Sequence, residues 1–378
     1  MDPENSGHRV ALQASVADFV RRGTDHLARV RRLRAAPQEY DRDVWDRMAK
    51  MGWLGVLVAE GHGGLGLGLA EAAIVARGLA RALLPEPFTA VAVLAASVLA
   101  ASDNETLQRK LLPRLVSGAV IPVLAWQERA GAIGAAEIET RAVPCEGGFR
   151  LNGCKRFVAG AAGADGYIVS AKTARGIAMF WVARDAAGVA LELEALADGR
   201  HFGVVTMSDV AVAGENCVAE GDAARSALEK AFDYAAVIAG AELCGVMDRA
   251  LEMSLDYMKT RVQFGKPIGS FQALQHRAVD LYIQQQLAAA VLEEALRALD
   301  RDADAASRAA WASRVKARCS DAGLRITREA IQIHGAIGFT DEYDAGLYLK
   351  RALVLAAWLG NAAWHRRRYA QFAVEARV

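Results

Sequence analysis

The sequence contains no C-x-x-C pair, no apolar run approaching the ~18 residues of a membrane-spanning helix, and almost no net charge. Its five cysteines, Cys145, Cys154, Cys217, Cys244 and Cys319, are odd in number and scattered. That pattern argues against a disulfide framework or a zinc site, and for free thiols in a reducing cytoplasm. Lys plus Arg number 45 and Asp plus Glu 44, so no overall field exists to hold nucleic acid or an anionic membrane. Residues 1–7 are polar and acidic and lack the basic start and apolar core of a secretory leader, so neither secretion nor membrane spanning is expected. The basic run Arg29, Arg31, Arg32 and Arg34 has no interleaved aromatics and reads as the solvated face of a helix.

What is present is globular. The chain has 378 residues, 53% hydrophobic and 24% charged, enough for two or three domains around a large buried cofactor site. Over residues 10–115 apolar positions recur every three or four, interrupted at residues 61–68 and at Leu84-Pro85-Glu86-Pro87, which predicts helices. After Pro122 short apolar stretches such as Gly166-Tyr167-Ile168-Val169-Ser170 and Ala178-Met179-Phe180-Trp181-Val182 predict strands and hairpins up to about Val218. From Asp222 helical spacing returns, with Phe232, Ala235, Ala239, Leu243, Val246, Ala250 and Met258 along one stripe of a long helix ending near Gly265-Lys266-Pro267. Residues 288–310 and the stretch before His334 predict further long helices, hence an antiparallel bundle. The expected domains are 1–121 (helical), 122–221 (β-barrel) and 222–378 (helical bundle). Helices, then strands, then helices exclude a doubly wound sheet. The glycine-rich residues 61–66 carry no phosphate-loop lysine and read as a tight loop between helices.

Two bundle segments are more specific. In Arg261-Val262-Gln263-Phe264-Gly265-Lys266-Pro267-Ile268, followed by Phe271-Gln272, the arginine could cap helix carbonyls or grip a pyrophosphate by paired hydrogen bonds. In Gln332-Ile333-His334-Gly335-Ala336-Ile337-Gly338-Phe339-Thr340, small residues either end a helix or let backbone amides approach a ligand. His334 reads as a packed or capping imidazole in preference to a catalytic one.

Together these stretches resemble the paired signatures of the acyl-CoA dehydrogenase family, R-x-Q-F-G-x-P-I and Q-x-H-G-x-I-G-F-T. Gly52-Trp53-Leu54-Gly55, residues 60–66, Leu83-Leu84-Pro85-Glu86-Pro87 and Leu347-Tyr348-Leu349-Lys350-Arg351 extend the resemblance over most of the chain. It implies a helical N-terminal domain, a β-barrel, a C-terminal four-helix bundle, and FAD lying between barrel and bundle. It further implies that Arg261, Phe264 and Gln272 hold the nucleotide of an adjacent protomer, that Gln332, Gly335 and Ala336 approach it, and that the protein is an oligomer. In the barrel the family's threonine before Glu128 is Gln127, its Gly-Ser-Asp turn is replaced, and its aromatic and hydroxyl pair appears as Phe157 and Ala159; Phe157 retains a surface to cover the flavin ring.

The implied reaction is α,β-dehydrogenation of an acyl-CoA thioester to the 2,3-enoyl-CoA. A glutamate takes the α-proton, the flavin takes the β-hydride, and electrons pass to an electron-transferring flavoprotein. The family's two usual positions for that glutamate are here the segment Trp358-Leu359-Gly360-Asn361, with no carboxylate, and Ala235. Glu242, in Ala241-Glu242-Leu243-Cys244-Gly245, matches an A-E-x-x-G pattern of a bacterial branch that includes heteromeric enzymes for steroid side chains and dicarboxylates. Glu242 shares a helical face with Ala235, Ile238 and Gly245, so it is either a buried base or a residue that bonds across the bundle or faces a polar channel. Asp233 and Glu229 read as surface residues, and Glu342 and Asp344 as caps or partners of Lys350 or Arg351. The alternative to a catalytic chain is a non-catalytic FAD-binding partner subunit of a heteromeric dehydrogenase, with an oxygen-using relative as a third option.

Overall fold

The computed structural model describes residues 3–22, 26–34, 40–301 and 303–375; Met1 and Asp2 of the polar start lie outside them. Packing groups the described chain into two compact units.

The first unit takes in residues 32–72 and 85–235. In the chain, α1 (Pro3–Arg22) and α2 (His26–Leu33), whose residues up to 31 belong to the other unit, come before α3 (Arg42–Lys50), which starts where the Asp41 carboxylate accepts the Asp43 N–H and buries Val44, Trp45 and Met48 on one face. The glycine-rich loop folds back on residues 55–58: the N–H groups of Leu65, Gly66 and Leu67 donate to the carbonyls of Gly55, Val58 and Val56. A Cβ at Gly64 would stand 2.0 Å from the Val58 oxygen. Those amides are spent on the backbone, as a tight loop requires and a phosphate loop does not. After α4 (Leu69–Arg81), whose residues from 73 onward belong to the other unit, a π-type turn over Thr89–Ala95 leads into α5 (Ala96–Ala100) and α6 (Glu105–Val116).

Eight strands follow: β1 (Pro122–Ala125), β2 (Arg141–Cys145), β3 (Gly148–Ala159), β4 (Gly166–Thr173), β5 (Gly176–Ala183), β6 (Val189–Ala195), β7 (His201–Ala213) and β8 (Cys217–Glu220). Their order is β6-β7-β3-β2-β4-β5-β8, with β1 parallel to β4. The expected barrel is therefore an open sheet among the described residues. β6 pairs with β7 alone and β8 with β5 alone, so no ladder closes the two ends.

The second unit takes in residues 1–31, 73–84 and 236–378. The helix α7 (Gly221–Thr260) runs 40 residues and stops before a hairpin of β9 (Val262–Gln263) and β10 (Lys266–Pro267). Then come α8 (Gln272–Leu299), α9 (Ala305–His334), α10 (Ala345–Ala357) and α11 (Ala362–Glu375). The helix expected over residues 288–310 is in fact broken between Leu299 and Ala305, where the Asp304 carboxylate caps α9. Small residues let these helices close up: a Cβ at Gly240 would meet Val315 at 2.4 Å, and one at Gly245 would meet the Arg77 carbonyl oxygen at 2.1 Å.

The basic run is not a solvated face. Arg29 is only 9% exposed, and Arg31 donates to the Asp341 carbonyl and pairs with Asp344 at 2.7 Å. The expected pairing of Asp344 with Lys350 or Arg351 is thus replaced by one with Arg31, and Asp344 stands at the N-cap of α10 without a side-chain capping bond.

On α9 the small-residue stripe Ala309, Ala312, Lys316, Cys319, Gly323, Ile326 and Ala330 carries a fully buried lysine. The Lys316 ammonium donates to the carbonyls of Ala356 (3.2 Å) and Gly360 (2.8 Å) and to the Ser320 hydroxyl (3.4 Å), fastening the turn between α10 and α11. Burial drives its pKa down from 10.5 to about 7, and burial with the nearby Lys316 charge pushes His365 down to about 3. Between about 7 and 10.5 the unfolded chain holds a proton at Lys316 that the folded chain lacks, so this group makes stability rise with pH, by at most about 1.4 kcal/mol per unit. Lys316→Met is expected to give a shallower rise in urea-unfolding free energy between about pH 7 and 10, while an unchanged slope would contradict the assignment.

Candidate active site

The hairpin after α7 places three of the residues singled out in the sequence. Val262 pairs with Pro267 and Gln263 with Lys266, leaving Phe264 and Gly265 as a two-residue turn. Their φ angles are 53° and 79°, the paired positive values of a type I′ turn. Such turns take Asn, Asp or Gly at the first position, and a phenylalanine there is strained. Phe264 is 91% exposed, with its ring edge-on to Phe271 at 6.0 Å. Arg261 and Gln272 flank the turn and are exposed.

At the end of α9, Gln332 and Ala336 are exposed, and Gly335 stops the helix at φ 65° with nothing within 4 Å of a hypothetical Cβ. Phe339 follows at 80% exposure. His334 is packed, as expected. Its Nδ1 faces the Ala330 carbonyl at 2.7 Å, which only an N–H can do, so Nε2 accepts from the Tyr343 hydroxyl at 2.9 Å. Tyr257 lies against the ring at 4.5 Å, and burial holds the imidazole pKa below its ordinary value. His334 therefore braces the glycine turn and is not placed for proton transfer to a ligand.

Along α7, Glu242 is buried, and its Oε2 accepts a hydrogen bond from Arg351 of α10 at 2.6 Å. The two side chains are 11% and 9% exposed. Glu242 is thus buried, as a base on this face would be, and it also bonds across the bundle. Segment 358–361 offers no carboxylate, and Leu359 within it is buried at φ 59°. Asp233, expected on the surface, is only 1% exposed; Glu229 is exposed.

In the sheet-bearing unit, residues 126–128 leave β1 and are held from several sides. Lys155 Nζ, on β3, reaches Glu128 Oε1 at 2.6 Å, the Ser170 hydroxyl at 3.0 Å and the Trp126 carbonyl at 3.4 Å. The other Glu128 contacts are the N–H groups of Glu139 (2.8 Å) and Thr140 (2.9 Å). Burial alone would raise the Glu128 pKa, but the Lys155 ammonium and the Thr140 N–H outweigh it and hold it below the usual carboxylate value. Burial pulls Lys155 down to about 8 despite Glu128. Gln127 accepts from the Arg156 N–H at 2.8 Å and donates to the Arg129 carbonyl at 3.0 Å. Phe157 lies in the β3–β7 irregularity between Lys155 and Val158, at φ 58° and edge-on to Phe202 at 6.4 Å.

The structure thus gathers Gln127 and Phe157 in one unit, and Arg261, Phe264, Gln272, Gln332, Gly335, Ala336 and Glu242 in the other. Sequence reasoning placed Asp233 on the surface, gave Arg351 no link to Glu242, and passed over the two buried lysines. Lys155 was findable, because it lies two pairs along β3 from the inward-facing Leu151.

Residues 224–374 match the profile described as acyl-CoA dehydrogenase, C-terminal domain, and residues 6–119 that of the N-terminal domain. The chain is 30% identical over 356 residues to acyl-CoA dehydrogenase FadE27 of Mycobacterium tuberculosis, covering 89% of this chain and 90% of that protein. It is 31% identical over 346 residues to acyl-CoA dehydrogenase IpdE2 of the same organism, covering 91% and 90%. Among solved structures, the ChsE4-ChsE5 complex from M. tuberculosis superposes with a TM-score of 0.88 at 27% identity, covering 97% of both chains.

Proposed function

Because this chain belongs to the acyl-CoA dehydrogenase family of oxidoreductases acting on CH–CH bonds, we propose that it carries out FAD-dependent α,β-dehydrogenation of an acyl-CoA thioester to the 2,3-enoyl-CoA. The observation that carries this reading is backbone strain. Of the five described non-glycine residues with positive φ, Phe157 and Phe264 are both candidate cofactor residues, and Leu359 lies in the segment aligned with the family's base.

The donor set fits the cofactor. Arg261 supplies a guanidinium for a pyrophosphate, Gln272 and Gln332 supply amides, and Gly335 leaves its backbone open beside Ala336. Phe264 would offer a flat ring to the nucleotide of a neighbouring protomer, and Phe157 and Gln127 would hold the flavin ring. Glu242 is the proposed base for the α-proton. Bound FAD would accept the β-hydride and pass electrons to an electron-transferring flavoprotein. The same reading keeps the division into residues 1–121, 122–221 and 222–378 and places the protein in the cytoplasm; no described helix is long and apolar enough to cross a membrane.

The chain purified in yellow form should bleach when an acyl-CoA is added without air. Arg261→Ala is expected to lower FAD affinity about 10- to 100-fold, since hydrogen bonds to charged groups contribute ~1.5–3 kcal/mol, with the thermal transition of the apoprotein unchanged. Wild-type affinity in this variant would remove Arg261 from the site. A second reading has its own support: the structural relative just described is a complex of two chains, ChsE4 and ChsE5. On that reading this chain is a non-catalytic FAD-binding partner, and flavin and activity would appear only on mixing with a second dehydrogenase-like polypeptide.

A further inference from the structure

We propose that Arg351 is a positioning residue for Glu242, holding the carboxylate by Oε2 at the orientation in which it takes the substrate's α-proton; this rests on Glu242 being the base. The Glu242 carboxylate and the Arg351 guanidinium meet inside the bundle in one hydrogen bond of 2.6 Å. A carboxylate this enclosed, with its side chain 11% exposed, is either paired or costly, so the arginine compensates for what burial takes away.

The arginine is itself fixed. It sits on α10 among buried neighbours Ala352, Tyr348 and Leu355. Tyr348 donates its hydroxyl to the Arg81 carbonyl at 2.9 Å. The far end of α10 is tied down by Lys316 through Ala356 and Gly360. A guanidinium on so immobile a helix sets the direction of the carboxylate it binds, whereas a flexible surface arginine could not. Glu242 stands on the opposite helix, α7, at a point where Gly245 brings α7 against the backbone of α4. Both partners of the pair are therefore carried by elements with little freedom to shift, which is the preorganisation that proton abstraction from carbon requires. Segment 358–361, where the resemblance would put a base, carries no carboxylate and is fastened by Lys316 and closed by the buried Leu359.

The test reads proton abstraction by itself, as exchange of the α-hydrogen of a bound, non-oxidisable 3-thiaacyl-CoA with deuterium oxide. The expected result for Arg351→Met is at least a 100-fold slower exchange with thioester binding within about threefold of wild type, and for Arg351→Lys an intermediate, roughly tenfold loss. Exchange at the wild-type rate in Arg351→Met would overturn the proposal. If that variant does not fold, the lysine variant decides: full exchange there would reject a role for the guanidinium's geometry. Glu242→Gln in the same assay separates the two claims. Undiminished exchange in Glu242→Gln defeats the base assignment itself, whereas loss in Glu242→Gln with full exchange in Arg351→Met defeats only the role given to Arg351.

Discussion

Glu242→Gln is expected to slow reduction of the flavin by an acyl-CoA about 10²- to 10⁴-fold, the range supplied by a positioned general base. Glutamine keeps the volume of the side chain and an oxygen able to accept from Arg351, so folding and FAD binding should survive while the proton acceptor is gone. Anaerobic bleaching of the purified holoprotein measures the effect, and FAD content measured in parallel shows whether the site is intact. Full-rate bleaching would take Glu242 out of the mechanism. The obvious competitor is then Asp233, the other buried carboxylate of α7, and Asp233→Asn in the same experiment tests it directly.

The largest stability effect is expected at Lys155. Its side chain is wholly enclosed, and that of its partner Glu128 is 7% exposed. Lys155→Met leaves the carboxylate without its cation, a loss of about 3–5 kcal/mol by the behaviour of other buried pairs. Lys155→Met with Glu128→Gln should cost less than Lys155→Met alone, because no uncompensated charge remains. Denaturant unfolding of the two single variants and the double variant forms the cycle, and strict additivity would mean that the two residues do not act as a pair. The pH dependence has two limbs. The lowered Glu128 pKa contributes stability that is present above the unfolded value of 4.5 and is lost as pH falls through its folded value. The lowered Lys155 pKa makes stability rise between about 8 and 10.5, because the unfolded lysine holds a proton there that the folded one has released.

Much of this was legible in the chain because the relevant signals are local. Helical spacing before residue 115 and after residue 222, and strand texture between, reappear as α3 to α6, β1 to β8 and α7 to α11. The hairpin at Phe264 and the turn at Gly335 were visible as short glycine-bearing motifs, because turn chemistry is confined to a few adjacent residues. The partner of Glu242 was not visible. Arg351 lies 109 residues away, and no spacing rule connects α7 to α10. Closure of the sheet was not legible either, since it depends on whether β6 and β8 meet, which neither strand encodes alone. Lys155 and Lys316 were passed over, and Asp233 was read as exposed, because charged residues are rarely enclosed without partners, and the carbonyls and hydroxyls that serve the two lysines come from distant segments.

Phe264 and Phe339, at 91% and 80% exposure, put two bare phenyl rings into water. Each square ångström of apolar surface left wet forgoes about 25 cal/mol, and such rings adhere to whatever covers them. On the proposed reading, in which a neighbouring protomer or FAD covers these rings, the chain without them is the form most prone to aggregate on storage or heating. The melting point measured for this protein will climb with its concentration, or with that of whatever molecule shields those rings, and a single quoted value has meaning only beside the dose at which it was taken.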